Sequence, residues 1–234
     1  MSGPRSTPPV IVKICGISTP ETLEASLGAG ADMIGFNFFP KSPRAVSLEA
    51  GSALAARVAG RAEIVALTVD MDDDAIASLV AAVRPDWLQL HGKEPPERVA
   101  ALQDRFGLGV LKAIGIRGAD DLAEVSAHAG VADRLLLDAK APAGAPLPGG
   151  NGRVFDWSLL DGLDPALPYM LSGGLDAGNV AEAITRTGTR GVDVSSGVET
   201  APGVKDAALI EAFIRAARSG ADSVPASSGE GTTT

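Results

Sequence analysis

Three features of the sequence predict an α/β fold in which a single domain closes into a (β/α)₈ TIM barrel. The chain has 234 residues, close to the roughly 250 of a typical barrel of this kind. Its composition is 45% hydrophobic but only 4% aromatic, which suits parallel strands built from Val, Ile, Leu and Ala and buried on both faces. Short β-branched runs also alternate with Ala-rich amphipathic stretches along the chain.

The short apolar runs that open each repeat are the predicted strands. Gly, Asp or Pro follows most of these runs, as expected where a strand turns into a helix. The runs are Val10–Ile14, Met33–Phe38, Glu63–Val69, Trp87–Leu90, Val110–Ile114, Arg134–Leu137, Tyr169–Leu171 and Val192–Val194. Six such units would fit an open, doubly wound sheet, whereas eight evenly spaced units favour a closed barrel.

Each strand precedes a predicted helix, and Pro, Asp or Ser stands near most helix starts, as helix N-termini favour. The helices are expected to begin near Pro20, Leu48, Asp74, Pro95, Asp120, Asp156, Ala177 and Asp206. Strands that alternate with helices in this way pair in parallel through right-handed crossovers.

Three segments fall outside the repeat. Residues 1–9 and 219–234 are predicted to be disordered tails, which leaves residues 10–218 as the barrel domain. Ala139–Gly152 is a Gly- and Pro-rich loop after the sixth strand, and loops of this length in compact barrels are usually functional.

Charge and composition exclude several classes of partner. The net charge of −9 argues against nucleic-acid binding, which depends on clustered Lys and Arg. No apolar run approaches the roughly 18 residues of a membrane span, and Met1–Pro9 lacks the apolar region of a signal peptide, so we expect a cytoplasmic protein that does not bind membranes. One cysteine and two histidines offer neither an intrachain disulfide nor a metal-ligand set.

Polar residues at the C-terminal ends of the strands are the candidates for chemistry, because active sites of such barrels lie there. In chain order they are Lys13, Cys15, Asn37, Pro40–Arg44, Asp70, Gln89, His91, Lys112, Asp138, Ser172–Gly174 and Asp193–Gly197.

Two glycine-rich turns follow the seventh and eighth strands, where barrels often bind phosphate. Glycine lets the backbone approach an anion closely, and the first turn leads towards a helix N-terminus. The turns therefore predict a phosphate site that needs no basic surface. The alternative is that Gly173, Gly174 and Gly197 merely make tight βα turns.

Cys15 and Asp138 are the candidates for proton transfer. A thiol needs nearby cations to act as a base, and Lys13 lies two residues from Cys15 on the same face of the strand. A carboxyl group shielded by a loop at a barrel mouth can keep and donate a proton. The alternatives are a buried structural cysteine and an Asp that caps a turn.

Three further residues are weaker candidates. Arg44 offers a planar fork suited to a carboxylate, or is a solvated loop residue. His91 is a candidate acid or base, although a barrel histidine more often has a structural role. Asp193 stands beside the serine-glycine turn and could orient a partner or fix the loop.

Six ordered motifs at these strand ends resemble those of the phosphoribosylanthranilate isomerase family, over roughly Pro9 to Arg218. They are VKICGI at the first strand, GFNFFPKSPR at the second, QLHG at the fourth, LLLDAK with PGGNGRVFDW at the sixth, LSGGL at the seventh and GVDVSSGVE at the eighth. A single motif would be weak evidence, but six in order make coincidence implausible.

The resemblance implies an Amadori rearrangement of N-(5'-phosphoribosyl)anthranilate, a step of tryptophan biosynthesis. It implies that Asp138 protonates the furanose ring oxygen as general acid and that Cys15 removes the proton from the sugar C2 as general base. It places the substrate phosphate at Gly173, Gly174, Ser195, Ser196 and Gly197. It places the anthranilate carboxylate at Arg44, with Lys13, His91 and Asp193 as further substrate-binding candidates.

Two other functions would also suit a barrel with a phosphate site. The isomerase of histidine biosynthesis performs the same rearrangement, but that family has Asp at the position of Cys15 and two half-barrel repeats, which this sequence lacks. A catalytically silent barrel that only binds phosphosugars is the second. We expect a small phosphoribosyl ligand, no cofactor and a monomer or homodimer.

Overall fold

Eight parallel strands close into a barrel in the computed structural model, which describes residues 10–140 and 154–222. The predicted barrel is thus confirmed, and every strand lies within two residues of its predicted bounds. The strands are β1 Ile11–Cys15, β2 Met33–Asn37, β3 Glu63–Thr68, β4 Trp87–Leu90, β5 Gly109–Ile116, β6 Arg134–Ala139, β7 Tyr169–Leu171 and β8 Gly191–Val194. They neighbour one another in chain order, and Val12 of β1 pairs with Val192 of β8 to close the barrel.

The helices surround the barrel. They are α1 Pro20–Gly28, α2 Leu48–Val58, α3 Asp73–Val83, α4 Pro96–Phe106, α5 Leu122–His128, α6 Val180–Thr187 and α7 Ala207–Asp222. Thr19, Ser47 and Asp72 cap the first three, since each side chain accepts a hydrogen bond from the backbone N–H three residues on. None of the described helices is long and apolar enough to cross a membrane.

The strands sort their side chains between two apolar layers. One set points into the barrel and fills it beneath the mouth: Met33, Val65, Leu111, Ala113, Leu136 and Met170. Alternate residues such as Val12, Val110 and Leu135 point outward and pack under the helices. Because side chains alternate with period two, this division assigns every strand residue to the interior or to the helix layer.

Two helix starts differ from the prediction. The segment after Asp156 forms only a short 3₁₀ helix, Trp157–Leu160, because Gly162 and Pro165 follow at once and interrupt a longer helix. The helix expected near Ala177 begins at Val180, since residues from Asp176 onward form a turn in which the Asp176 carboxylate accepts the N–H of Gly178.

The C-terminal boundary of the barrel also differs. Helix α7 continues to Asp222, so residues 219–222, predicted as part of a tail, are helical. A Cβ added at Gly220 would lie 2.7 Å from Ala181 Cα, which shows how closely α7 packs on α6 there. Residues 1–9 and 223–234 lie outside the described residues, as does the predicted loop beyond Lys140.

A small two-stranded sheet follows β8 and covers one side of the mouth. Its strands, β9 Glu199–Ala201 and β10 Val204–Lys205, pair in antiparallel fashion. Between them, Gly203 has a φ of 82°, and a Cβ there would lie 2.5 Å from the Pro43 carbonyl oxygen. This hairpin therefore packs closely against the loop after β2.

Candidate active site

Many of the polar side chains predicted at the strand ends line a pocket at the C-terminal ends of the strands. The pocket opens above the apolar layer inside the barrel and has an empty volume of about 650 Å³, counting the part open to solvent. It is lined by Cys15, Asn37, Phe39, Ser42, Arg44, Leu67, Val69, Gln89, His91, Asp138, Ser172, Gly173, Gly174, Leu175, Asp193, Val194, Ser195 and Ser196. Most of the residues predicted at the mouth thus meet in one cavity.

Cys15, the last residue of β1, contributes a thiol to the pocket wall and is only 5% exposed. Burial raises the pKa of this thiol above its usual value, and the Lys13 ammonium group partly opposes the increase. A Cβ added at Gly35 would lie 3.1 Å from Cys15 Sγ and 3.2 Å from Lys13 Nζ. The thiol therefore has the neighbouring cation that a cysteine base requires.

Lys13 does not line the pocket but lies fully buried beneath it. Its Nζ donates to Asp193 Oδ1 at 2.6 Å, and Ser172 Oγ donates to Asp193 Oδ2 at 3.1 Å. Burial alone would lower the pKa of Lys13, but the facing Asp193 carboxylate raises it above its usual value. Asp193 reaches the pocket wall, so this ion pair connects the wall to the cation beneath Cys15.

Asp138, on β6, lies three strands away from Cys15 around the barrel and is 4% exposed. His91 Nε2 is 3.4 Å from Asp138 Oδ2, and Gln89 Nε2 is 3.0 Å from His91 Nδ1. Gly173, with a φ of 86°, approaches so closely that a Cβ there would lie 2.9 Å from Asp138 Oδ1. Asp138 is therefore bounded by His91 on one side and by the glycine turn on the other.

The two predicted phosphate turns meet at one side of the pocket. Gly173 and Gly174 have positive φ angles, and they line the pocket together with Ser195 and Ser196. Gly197 does not line it, because it packs against the other turn, where a Cβ would lie 1.9 Å from the Leu175 carbonyl oxygen. Helix α6 begins after a further turn, so its N-terminus does not directly follow the glycines as the sequence suggested.

Arg44 lies on the loop after β2, buried at 6% exposure but still lining the pocket. Its Nε and Nη2 donate to the two carboxylate oxygens of Glu199 at 2.7 and 2.8 Å. A Cβ at Gly16, which has a φ of 78°, would lie 2.7 Å from Arg44 Cδ. The guanidinium group is thus held in a fixed orientation rather than solvated.

Two charged residues of the hairpin were missed by the sequence analysis. Lys205 Nζ donates to Glu199 Oε1 at 2.7 Å and to the Ser195 carbonyl oxygen at 2.9 Å. These contacts connect Arg44 to a serine of the predicted phosphate turn. Glu199 is the last residue of the motif GVDVSSGVE, so the motif could have indicated it as a site residue. No pattern in the sequence distinguishes Lys205.

Lys112 and Asp70 are mouth candidates that do not line the pocket. Lys112 is fully buried on the outward face of β5, where its Nζ donates to Glu94 Oε2 at 2.9 Å and to the Gly92 carbonyl oxygen at 2.8 Å. Glu94 also accepts the N–H of Asp70 at 2.9 Å. Burial by itself would raise the pKa of Glu94, but Lys112 and the backbone donors hold it below its usual value. This pair stabilises the loop that carries His91.

Comparisons with known protein sequences match one family over most of the chain. A family model described as N-(5'-phosphoribosyl)anthranilate (PRA) isomerase matches residues 12–216. A protein named N-(5'-phosphoribosyl)anthranilate isomerase from Azorhizobium caulinodans is 63% identical over 207 residues, covering 88% of this chain and 91% of that protein. Another of the same name, from Afipia carboxidovorans, is 58% identical over 214 residues and covers 92% of each.

Solved structures give the same result. Phosphoribosyl anthranilate isomerase from Thermotoga maritima has a TM-score of 0.82 at 35% identity, over 90% of this chain and 99% of that one. A phosphoribosyl anthranilate isomerase in complex with reduced 1-(o-carboxyphenylamino)-1-deoxyribulose 5-phosphate has a TM-score of 0.79 at 34% identity, with the same coverage. Among the residues described here, no group of three or more His, Cys, Asp or Glu side chains could hold a metal ion.

Proposed function

This chain belongs to the N-(5'-phosphoribosyl)anthranilate isomerase family, and from that premise we propose that Cys15 and Asp138 are the proton-transfer pair of the reaction. The enzyme isomerises N-(5'-phosphoribosyl)anthranilate to 1-(2-carboxyphenylamino)-1-deoxyribulose 5-phosphate in tryptophan biosynthesis. The observation that carries the proposal is that both side chains line the same pocket, three strands apart. One group can thus reach each side of a sugar ring.

Asp138 is the proposed general acid. It gives its proton to the furanose ring oxygen while the bond between that oxygen and C1 breaks, which leaves a hydroxyl group and a Schiff base between C1 and the anthranilate nitrogen. The carboxylate that results faces His91. Low exposure supports this role, because it keeps bulk water away from the carboxyl group during proton transfer.

Cys15 is the proposed general base. Its thiolate removes the proton from C2, and the electron pair of that C–H bond forms the enolamine. Addition of a proton at C1 and loss of the C2 hydroxyl proton then yield the ketone. Lys13, which the resemblance suggested as a substrate ligand, is better placed to stabilise this thiolate, because Lys13 lies under the pocket and beside the thiol.

The two ends of the substrate are proposed to bind to two different groups of residues in the pocket wall. The backbone N–H groups of Gly173 and Gly174 and the hydroxyls of Ser195 and Ser196 would hold the phosphate. Arg44 would hold the anthranilate carboxylate with the edge of its guanidinium group that Glu199 leaves free. Binding at both ends, away from the reacting carbons, positions C1 and C2 between acid and base.

The anthranilate fluorescence of the substrate, followed over time with the purified chain, tests this assignment. We expect Cys15→Ser and Asp138→Asn each to lower kcat by about 10²- to 10⁴-fold, the usual contribution of a general acid or base, while KM changes only a few-fold. Ser78→Ala, on the exposed outer face of α3, serves as a control. Near wild-type kcat in either site variant would overturn the pair.

We further propose that the enzyme acts in the cytoplasm as a monomer or homodimer. An ionised phosphosugar does not cross a lipid bilayer unaided, so its isomerase belongs in the compartment that makes it. A related enzyme from Thermotoga maritima is described as dimeric. Light scattering of the purified chain distinguishes the two assembly states.

A further inference from the structure

Gln89 is a pocket residue to which the reaction described above gives no role. It lies on the inward face of β4, fully buried and two residues before His91. Its Nε2 is 3.0 Å from His91 Nδ1, and its Oε1 has no hydrogen-bond partner among the described residues. The contact with His91 is therefore the polar interaction that orients this buried amide.

The orientation of the amide determines which nitrogen of His91 carries the proton. A neutral imidazole has one N–H donor and one acceptor nitrogen. With the amide nitrogen facing Nδ1, that nitrogen must accept, so the proton lies on Nε2. The reversed amide would place Oε1 at Nδ1 and require the proton there, and it would leave both amide hydrogens unpaired instead of one hydrogen and the oxygen.

The contact between His91 and Asp138 links the tautomer of His91 to the proposed general acid. His91 Nε2 lies 3.4 Å from Asp138 Oδ2, longer than an ordinary hydrogen bond, and such contacts shorten when catalytic groups engage substrate. A proton on Nε2 makes His91 a donor to Asp138. As Asp138 gives up its own proton, negative charge develops on its carboxyl group, and a fixed N–H donor stabilises that charge.

We propose that Gln89 is a positioning residue that fixes His91 as the Nε2–H tautomer, and that His91 uses this N–H to orient Asp138 and stabilise its carboxylate. The inference rests on the proposed role of Asp138 as the acid. Neither Gln89 nor His91 exchanges a proton with the substrate in this scheme. The arrangement follows the logic of a catalytic triad, in which one side chain fixes the tautomer of a histidine that serves another.

Nitrogen NMR of the imidazoles tests the tautomer directly, because the full chain has only two histidines. The His91→Gln variant leaves one ring and so assigns the signals of His128. At about pH 8.5, where histidine is ordinarily neutral, we expect the His91 proton on Nε2. In Gln89→Glu, whose carboxylate can only accept, we expect His91 to gain a proton on Nδ1. A wild-type His91 protonated on Nδ1 would overturn the proposal.

Kinetics separate positioning from a purely structural role. Gln89→Met keeps the size of the side chain but removes the amide, and we expect kcat to fall by about 10-fold with little change in KM. In the His91→Gln background, whose amide N–H can reach Asp138 without any tautomer, Gln89→Met should lower kcat by less than about 2-fold. An undiminished effect in that background would show that Gln89 acts only through packing.

Two controls keep the outcomes distinct. Leu88→Val changes the outward neighbour of Gln89 on the same strand, and we expect it to lower the melting temperature without changing kcat. Asp138→Asn tests the underlying assignment: if that variant keeps wild-type kcat, the proposed acid is wrong. The tautomer measured for His91 stands independently of that result.

Discussion

Two lysines of this barrel are equally buried and equally paired, yet they contact different parts of the molecule. Lys13 and Lys112 are both fully buried, and their Nζ atoms donate to Asp193 at 2.6 Å and to Glu94 at 2.9 Å. Lys13 points into the barrel beneath the thiol of Cys15. Lys112 points outward and is bound to the loop that follows β4.

The position of each lysine in its strand explains the difference. Lys13 alternates with Val12 and Ile14, which pack under the helices, so its own side chain points inward. Lys112 lies between Leu111 and Ala113, which fill the interior, so its side chain points outward. The same residue type therefore affects the pKa of Cys15 at one position and stabilises the loop after β4 at the other.

Replacement of Lys112 should have the largest effect on stability. Lys112→Met leaves the Glu94 carboxylate buried without its partner, and we expect the free energy of unfolding to fall by about 3–5 kcal/mol. Urea unfolding monitored by circular dichroism measures this change. The pH at which kcat/KM rises should be the same as in the wild type, because Lys112 does not face Cys15. A change in that pH would contradict the division between the two lysines.

Lys13→Met, in contrast to Lys112→Met, should mainly change the pH dependence of activity. Burial already raises the pKa of Cys15, and loss of the opposing Lys13 charge raises it further. Activity that depends on the thiolate therefore rises with pH in the wild type, and in the variant it rises only at higher pH. At neutral pH we expect kcat/KM to fall by about 10-fold for each unit of added shift. Profiles of kcat/KM against pH that superimpose would contradict this role.

The smallest expected effect concerns acid stability. The pKa of Glu94 lies below its usual value in the folded protein, so its contribution to stability is present above the ordinary carboxyl range and is lost as pH falls through the folded pKa. In Lys112→Met, burial without the lysine raises that pKa instead. The difference in unfolding free energy between wild type and variant should therefore shrink by about 1 kcal/mol or more as pH is lowered towards 4. A constant difference across that range would show that Glu94 is not the group responsible.

The sequence alone predicted much of the site because the barrel mouth is defined by position along the chain. Cys15 and Asp138 were identifiable because each follows an apolar run, and strand ends converge on the pocket. The strand bounds were predicted accurately because the strands are short β-branched runs that are buried on both faces. The helix expected at Asp156 was wrong, because the nearby Gly162 and Pro165 outweighed the helical pattern.

Other parts of the site depended on contacts between distant segments. Glu199 and Arg44 are 155 residues apart, and Glu94 and Lys112 are 18 apart. Lys205, which joins the hairpin to Ser195, lies in a stretch with no recognisable pattern. Charged side chains of this kind look like ordinary surface residues until the fold shows that each is buried against a specific partner.

The sequence by itself determined the fold class, the family and the strand ends that carry Cys15 and Asp138, the proposed catalytic pair. These follow from periodicity and motif order, which are local properties of the chain. Only the tertiary structure decided that Lys13 lies beneath the pocket, that Lys112 faces away from it, and that Gln89, His91 and Asp138 form a chain of contacts. Those facts depend on burial and on contacts between strands, such as that between His91 after β4 and Asp138 on β6, which are set when the barrel closes.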